Sequence, residues 1–423
     1  MPSSKSGWNS CEHRHDRSEY YSDDPITAGL LPLLAPRHKE NRIMNEDQHD
    51  DWNPRDPLIL KDQRRAYDEM RERCPVAHSG FLGWSLFRHE DITAVLADPA
   101  TYSNVSQFLS IPNGMDPPDH GAYYDVLAAF FDDEHMAQFE PRVRAIAANL
   151  LESMHAADET EFIDDFATPF AIKTLCAFLG WPEQQWECLA GWVHGNQQAA
   201  LTEDSVAGKT LADLFAEHVG ANLDRHRASR NDESDATDAL LKVEANCEKF
   251  SDEQIVSILR NWAAGHGTVA AGLGILVAHL AENPELQDQL RNNPSLIPAA
   301  IEEILRVDDP LVANRRSTTR EVEIQGRTIP KGEHLTLMWI AANRDPRVFE
   351  DSDVVKIERD TDAGLVWGQG IHLCLGAPLA RLEMRVALEA LLSRTKRFQL
   401  SGEAPRRAVY PGNGLAVLPL RLS

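Results

Sequence analysis

From residue 51 onward, long stretches with apolar side chains at helical spacing give way late in the chain to short runs of strand-like alternation. The 3.6-residue period is clear in 139–154, 166–179 and 210–223, which predicts amphipathic helices on a common core within a helical region over 120–300. The stretch 262–280 is apolar all round, so it is either a membrane span or a central core helix. Its two histidines, four glycines and charged flanks favour the core. Ser251, followed by Asp252 and Glu253, caps the start of that helix. A further helix over 293–307 is closed by Asp308-Asp309-Pro310. Strands are predicted at 321–324, 327–329 and 334–339, separated by turns at Gln325-Gly326 and Pro330-Lys331-Gly332, and the last residues are again strand-like. Earlier, 83–98 combines a strand-like piece with the start of a helix. The loop 103–118 carries Phe108, Leu109, Ile111 and three prolines, a length that tends to be functional. Residues 226–238 read as a solvated loop. The fold class is therefore mainly α with a minor antiparallel β component, in one large domain over 51–423. Residues 1–50, polar except for 28–35, read as a mobile tail, and His13-Arg14-His15 within it as solvated rather than metal-binding.

Composition narrows the partners. The 423 residues are 43% hydrophobic, ample for a large core, and show no internal repeat or clear linker. Acidic residues outnumber basic ones 66 to 42, for a formal net charge of −24, which argues against nucleic acid and anionic membrane surfaces as partners. Cys11, Cys74, Cys176, Cys188, Cys247 and Cys374 have no CxxC spacing and no disulfide framework. The start of the chain lacks the apolar run of a signal peptide, so a reduced, cytoplasmic location is expected.

The candidate chemistry concentrates in Trp367-Gly368-Gln369-Gly370-Ile371-His372-Leu373-Cys374-Leu375-Gly376, which leads into a helix beginning Ala377-Pro378. Closely spaced glycines allow tight turns and close approach. A cysteine just ahead of a helix start sits among unpaired N–H groups at the positive end of the dipole, which stabilises a thiolate and suits a metal ligand. An ordinary buried cysteine is the bland reading of a lone Cys, but this spacing disfavours it.

This segment resembles the cysteine loop of the cytochrome P-450 family, with Trp367 where members usually have Phe. The resemblance runs from about residue 70 to the end, through Cys74-Pro75-Val76, Met115-Asp116-Pro117-Pro118-Asp119-His120, Ala264-Gly265-His266-Gly267-Thr268, Glu303 with Arg306, and Asn343-Arg344-Asp345-Pro346. It implies the family's fold around a buried haem b (iron protoporphyrin IX), with Cys374 as the iron ligand and Gly368 and Gly376 in the ligand loop. His120, His372 and Arg316 would hold the propionates, Arg315 being the competing choice. Tyr124 stands where the family commonly has arginine and would donate one hydrogen bond without charge. Glu303 and Arg306, on one helix face, look like the family's buried pair, with Arg344 as candidate third partner. On the oxygen side, Thr268 would hold dioxygen and an ordered water, with Ala264 beside it. Gly267 occupies the family's acidic position, so the proton relay would need water in the space left there, His266, or a carboxyl elsewhere; His266, one residue off register, is expected to point away.

The resemblance implies a monooxygenase that hydroxylates or dealkylates a small to medium hydrophobic substrate, aromatic ones included, in a pocket lined by Phe108, Leu109, Ala264, Thr268, Val312 and Ala313. Dioxygen is the co-substrate, and a separate ferredoxin with its reductase is the expected electron source unless the chain is the haem portion of a longer fusion. Gly267 prompts a peroxide-driven oxygenase as the rival within enzymes, and a non-catalytic haem-binding sensor is the rival outside them.

Overall fold

A computed structural model describes residues 50–106, 108–154, 159–202, 204–229, 235–408 and 412–423. The predicted polar tail, apart from Asp50, and His13-Arg14-His15 lie outside the described residues.

Helices dominate, and the apolar stretch at their centre decides how they pack. It forms α1 (Asp252–Glu282), opened by a capping box in which Ser251 Oγ accepts from the Gln254 amide and the Gln254 carboxamide accepts from the Ser251 amide. By length and composition α1 could cross a membrane, yet 61% of its apolar window is buried within the fold. It packs against the helices Thr168–Leu179, Ser205–Ala228 and Ile297–Val307, and against α2 (Ala377–Arg394). A helix contacted by neighbours on several sides needs apolar residues all round. The main core includes Phe162, Phe166, Phe170, Ile258, Leu273, Leu305 and Leu388.

Several helices overrun their predicted bounds because polar first turns have no apolar period to read. The 139–154 helix begins at Asp133, and the 210–223 helix spans Ser205–Ala228. The described ends of the stretch 226–238 are less solvated than its composition suggests: His226 is buried and pairs with Asp238 at 3.1 Å, and Ala236–Leu240 is helical.

The five-stranded sheet runs in the order Val76–Ser79, Gly83–Leu86, His334–Met338, Ala313–Thr318, Tyr102–Ser103. One pairing is parallel, between Gly83–Leu86 and His334–Met338, and the rest are antiparallel. The predicted hairpin forms as Val322–Ile324 with Arg327–Ile329. Ala313–Thr318, ahead of the predicted strands, is itself a strand paired with His334–Met338. Its polar sequence hides a period of two that is completed only by the neighbouring strands. Sheet and helices meet at a cluster of Trp52, Tyr67, Phe87, Val312, Met338 and Ile340.

Candidate functional site

The cysteine loop is shaped by its glycines. Gly368 and Gly370 have φ of +71° and +73°, a region costly for any residue with a Cβ. The loop then closes with the Cys374 amide donating to the Trp367 carbonyl at 2.9 Å, and α2 begins at Ala377 with Gly376 as its N-cap. The Cys374 side chain is accessible yet enclosed by protein on most sides, which places it on the wall of an internal cleft. Burial pushes its thiol pKa up; the amides of Gly376 and Ala377 and the Arg381 guanidinium oppose that shift. Such a thiol is neutral alone and ionises when a cation binds it.

The same loop carries His372, which meets His120 edge to face with ring centroids 4.4 Å apart. Both imidazoles have a buried Nε2 with no hydrogen-bond partner among the described residues. Burial holds His120 below its ordinary pKa, and burial with the nearby Arg316 charge takes His372 down to about 4. Arg316 is 7% exposed and donates to Asn104 Oδ1 at 3.0 Å and to the Arg315 carbonyl at 2.8 Å. Burial lowers its pKa to about 10, against a small opposing effect of Asp116, and it makes no ion pair among the described residues. A buried guanidinium without a carboxylate, beside two imidazole nitrogens without partners that can each carry a proton, is a cradle for an anionic group. A Cβ at Gly376 would meet no protein within 4 Å, which leaves room beside the sulfur for a broad ligand. The residues therefore fit a haem, whose carboxylates His120, His372 and Arg316 would hold. Arg315, on the other face of the strand, is exposed.

Tyr124 spends its one hydrogen bond on the cysteine loop. Its hydroxyl donates to the Leu373 carbonyl at 3.0 Å, and its ring lies 5.2 Å from that of His120. It clamps the cysteine loop from the helix that also carries His120.

The Glu303–Arg306 pair is fully buried. Arg306 donates to both carboxylate oxygens, at 2.7 and 2.9 Å, and to the Asn343 and Ser352 carbonyls, at 2.7 and 2.8 Å. The third partner is Arg359, whose Nε lies 2.9 Å from Glu303 Oε1, not Arg344, which pairs with Asp68 at 2.7 Å. Sequence reasoning missed Arg359 because a chain turn, not a helix period, brings it to Glu303. It also missed the support of Trp367, whose indole N–H donates to Glu302 Oε2 at 2.8 Å. Arg381 bonds the same carboxylate at 2.7 Å and lies over the indole ring at 4.6 Å. Glu302 directly precedes Glu303, so it leaves the helix on another side.

On α1, Asn261, Ala264 and Thr268 recur at three- and four-residue spacing and are partly accessible, as are Trp262, Gly267 and Ala271 nearby. Thr268 and Ala264 thus share a face of the helix. His266 does not: it is buried, donates to the Trp262 carbonyl through Nδ1 at 2.8 Å, and faces Glu383 of α2 at 3.2 Å through Nε2. It is withdrawn as a relay candidate. An acid at 383 within the apolar run Leu382-Glu383-Met384 was the available signal for its partner. Burial alone would lower the His266 pKa, but the Glu383 charge and hydrogen bond outweigh it and leave the imidazole raised; burial raises Glu383. A raised histidine pKa contributes stability that is full below its ordinary 6.5 and is lost as pH rises through the folded value. His266→Leu, which strands a buried carboxyl, is expected to cost about 3–5 kcal/mol, whereas His266→Leu with Glu383→Leu costs less than either single change. Thermal unfolding midpoints across pH check both.

The pocket residues divide. Leu109 is 42% exposed and its carbonyl accepts from Ser257 Oγ at 3.1 Å and from Arg260, which ties the loop to α1. Phe108 is 69% exposed on the same loop, and Val312 is wholly buried in the sheet-side cluster. Ala313 is half-buried at the edge of that cluster.

Comparison with known proteins supplies the context for this geometry. The cytochrome P-450 family profile matches residues 192–421. The chain is 33% identical to cyclomarin C epoxidase of Salinispora arenicola over 79% of this chain and 89% of that one. It is 31% identical to erythromycin C-12 hydroxylase of Saccharopolyspora erythraea over 80% and 88% respectively. Among solved structures, a mutant of the P-450 EryK in complex with erythromycin B superposes with a TM-score of 0.80 at 28% identity, over 85% of this chain and 96% of that one.

Proposed function

The chain belongs to the cytochrome P-450 family, and from that premise we propose that it is a haem-thiolate monooxygenase in which Cys374 is the axial ligand and Thr268 the oxygen-side hydroxyl, acting on a hydrophobic substrate of moderate size with electrons from a separate ferredoxin-type donor. The cofactor is haem b, which when bound supplies dioxygen activation and the oxidising power to insert one oxygen atom. The observation that carries the reading is the unpaired cradle of His120, His372 and Arg316 on the same cleft as the Cys374 sulfur.

Within that site the Gly376 and Ala377 amides and Arg381 stabilise the negative sulfur. Trp367, held by Glu302, and Tyr124, held to the Leu373 carbonyl, keep the loop in register. His120, His372 and Arg316 compensate the cofactor's carboxylates with charge-assisted hydrogen bonds. Ala264 and Gly265 let the substrate approach α1 closely. The Thr268 hydroxyl accepts one hydrogen bond while donating another, so it can pass a proton without a net change. Leu109 adds an apolar wall on the loop side.

The test is incorporation of label from isotopic dioxygen into product, with reduced ferredoxin, after a difference-spectrum screen for ligands ranging from small aromatics to macrolides. Label in product supports the reading; electron consumption with no labelled product from any binding ligand overturns it. A peroxide-driven oxygenase is the second reading, favoured by the absence of a carboxylate at Gly267, and would show faster product formation with peroxide than with ferredoxin. Arg316→Leu and His120→Phe should each weaken haem retention by about 1.5–3 kcal/mol, the range for hydrogen bonds to charged groups. The rate of haem transfer to an acceptor protein measures this.

A further inference from the structure

Gly267 is where this chain departs from the acid of its family's pattern, and a neighbouring helix packs against that position. The helix Trp186–Thr202 crosses α1 here: a Cβ on Gly267 would lie 2.7 Å from Val193 Cγ1 and 3.2 Å from Gln197 Nε2. Val193 and Gln197 are one turn apart on the same helix face. The space at Gly267, one of the relay routes left open by the sequence, is therefore lined by a methyl group and a carboxamide. The carboxamide is a polar group packed against Gly267, the residue before Thr268. Within one turn of these positions the titratable side chains on the two helices are His194, which burial holds below its ordinary pKa, and His266, which faces Glu383.

We propose that Gln197 is a positioning residue of the monooxygenase reaction: its carboxamide, set against Gly267 beside Thr268, orients water toward the Thr268 hydroxyl in place of the missing acid, and does so without ionising. The amide offers both a donor and an acceptor to one water. It keeps its own hydrogens. Each proton taken up by the Thr268 oxygen from water is matched by the one that hydroxyl gives up, so nothing is consumed at Gln197. The inference rests on the monooxygenase reading above.

The experiment compares the full-length haem protein with Gln197→Leu and Gln197→Glu, using a substrate found by spectral titration. Product per reduced cofactor, peroxide released, the solvent isotope effect and the pH profile between about pH 5 and 9 are read. Gln197→Leu is expected to lower product per electron pair about tenfold, with peroxide accounting for the loss and substrate affinity unchanged. Gln197→Glu is expected to restore coupling at neutral pH and to lose it as pH falls through the carboxylate range, a dependence the parent lacks. A merely structural role would not move that profile. The packing premise has its own readout: Gly267→Ala should lower the unfolding midpoint, and adding Val193→Ala should recover it. If the parent makes labelled product while Gln197→Leu keeps parental coupling, isotope effect and pH profile, this proposal falls alone. If the parent makes no product with reduced ferredoxin, the monooxygenase reading falls and takes the proposal with it.

Discussion

Cys374→Ala is expected to yield a folded protein that has lost the thiolate-type absorbance of its reduced carbonyl complex and forms product no faster than background. The side chain lies on a cleft wall rather than in close packing, so its removal leaves little cavity and the unfolding midpoint should stay near that of the parent. The sulfur is the only group on the loop that can push electron density toward the iron and favour O–O cleavage. Cys374→His separates ligation from chemistry: an imidazole can retain the haem but not the thiolate spectrum. Retention of that spectrum in Cys374→Ala would remove the basis of the site as assigned.

Glu303→Leu is expected to have the largest effect on folding. Its partner Arg306 is wholly buried, and loss of the carboxylate leaves a guanidinium with only backbone carbonyls around it. Breaking such a pair costs about 3–5 kcal/mol, a large share of the roughly 5–15 kcal/mol that separates folded from unfolded chains. Expression should fall and the remaining protein should bind little haem, measured as haem per chain and unfolding midpoint. Arg359→Leu should cost less, since Arg306 and the Lys356 amide continue to bond Glu303. Burial pushes the Glu303 carboxyl up, but the bonds from Arg306, the Lys356 amide and Arg359 outweigh it and hold its pKa below the usual 4.5. A depressed carboxyl contributes stability that is full above its ordinary value and is lost as pH falls through the folded one. This pair is therefore a source of acid sensitivity on the low side of pH 4.5, not near neutrality.

The amino-acid order alone determined the helical class, the late strands, the place of the buried central helix, the cysteine ahead of its helix and the pairing of Glu303 with Arg306. Each is a local matter: a period of 3.6 or two, a cap, a glycine-rich turn, or two charges on one helix face. Tertiary structure decided what those residues meet. Arg359 rather than Arg344 completes the Glu303 cluster, Tyr124 clamps the Leu373 carbonyl, Trp367 leans on Glu302 and Arg381, and Val193 with Gln197 fills the space at Gly267. Every one of these joins residues far apart in the chain or on opposite sides of a turn. Their distances depend on how helices cross, and the spacing of residues along one helix carries no record of the neighbour packed against it.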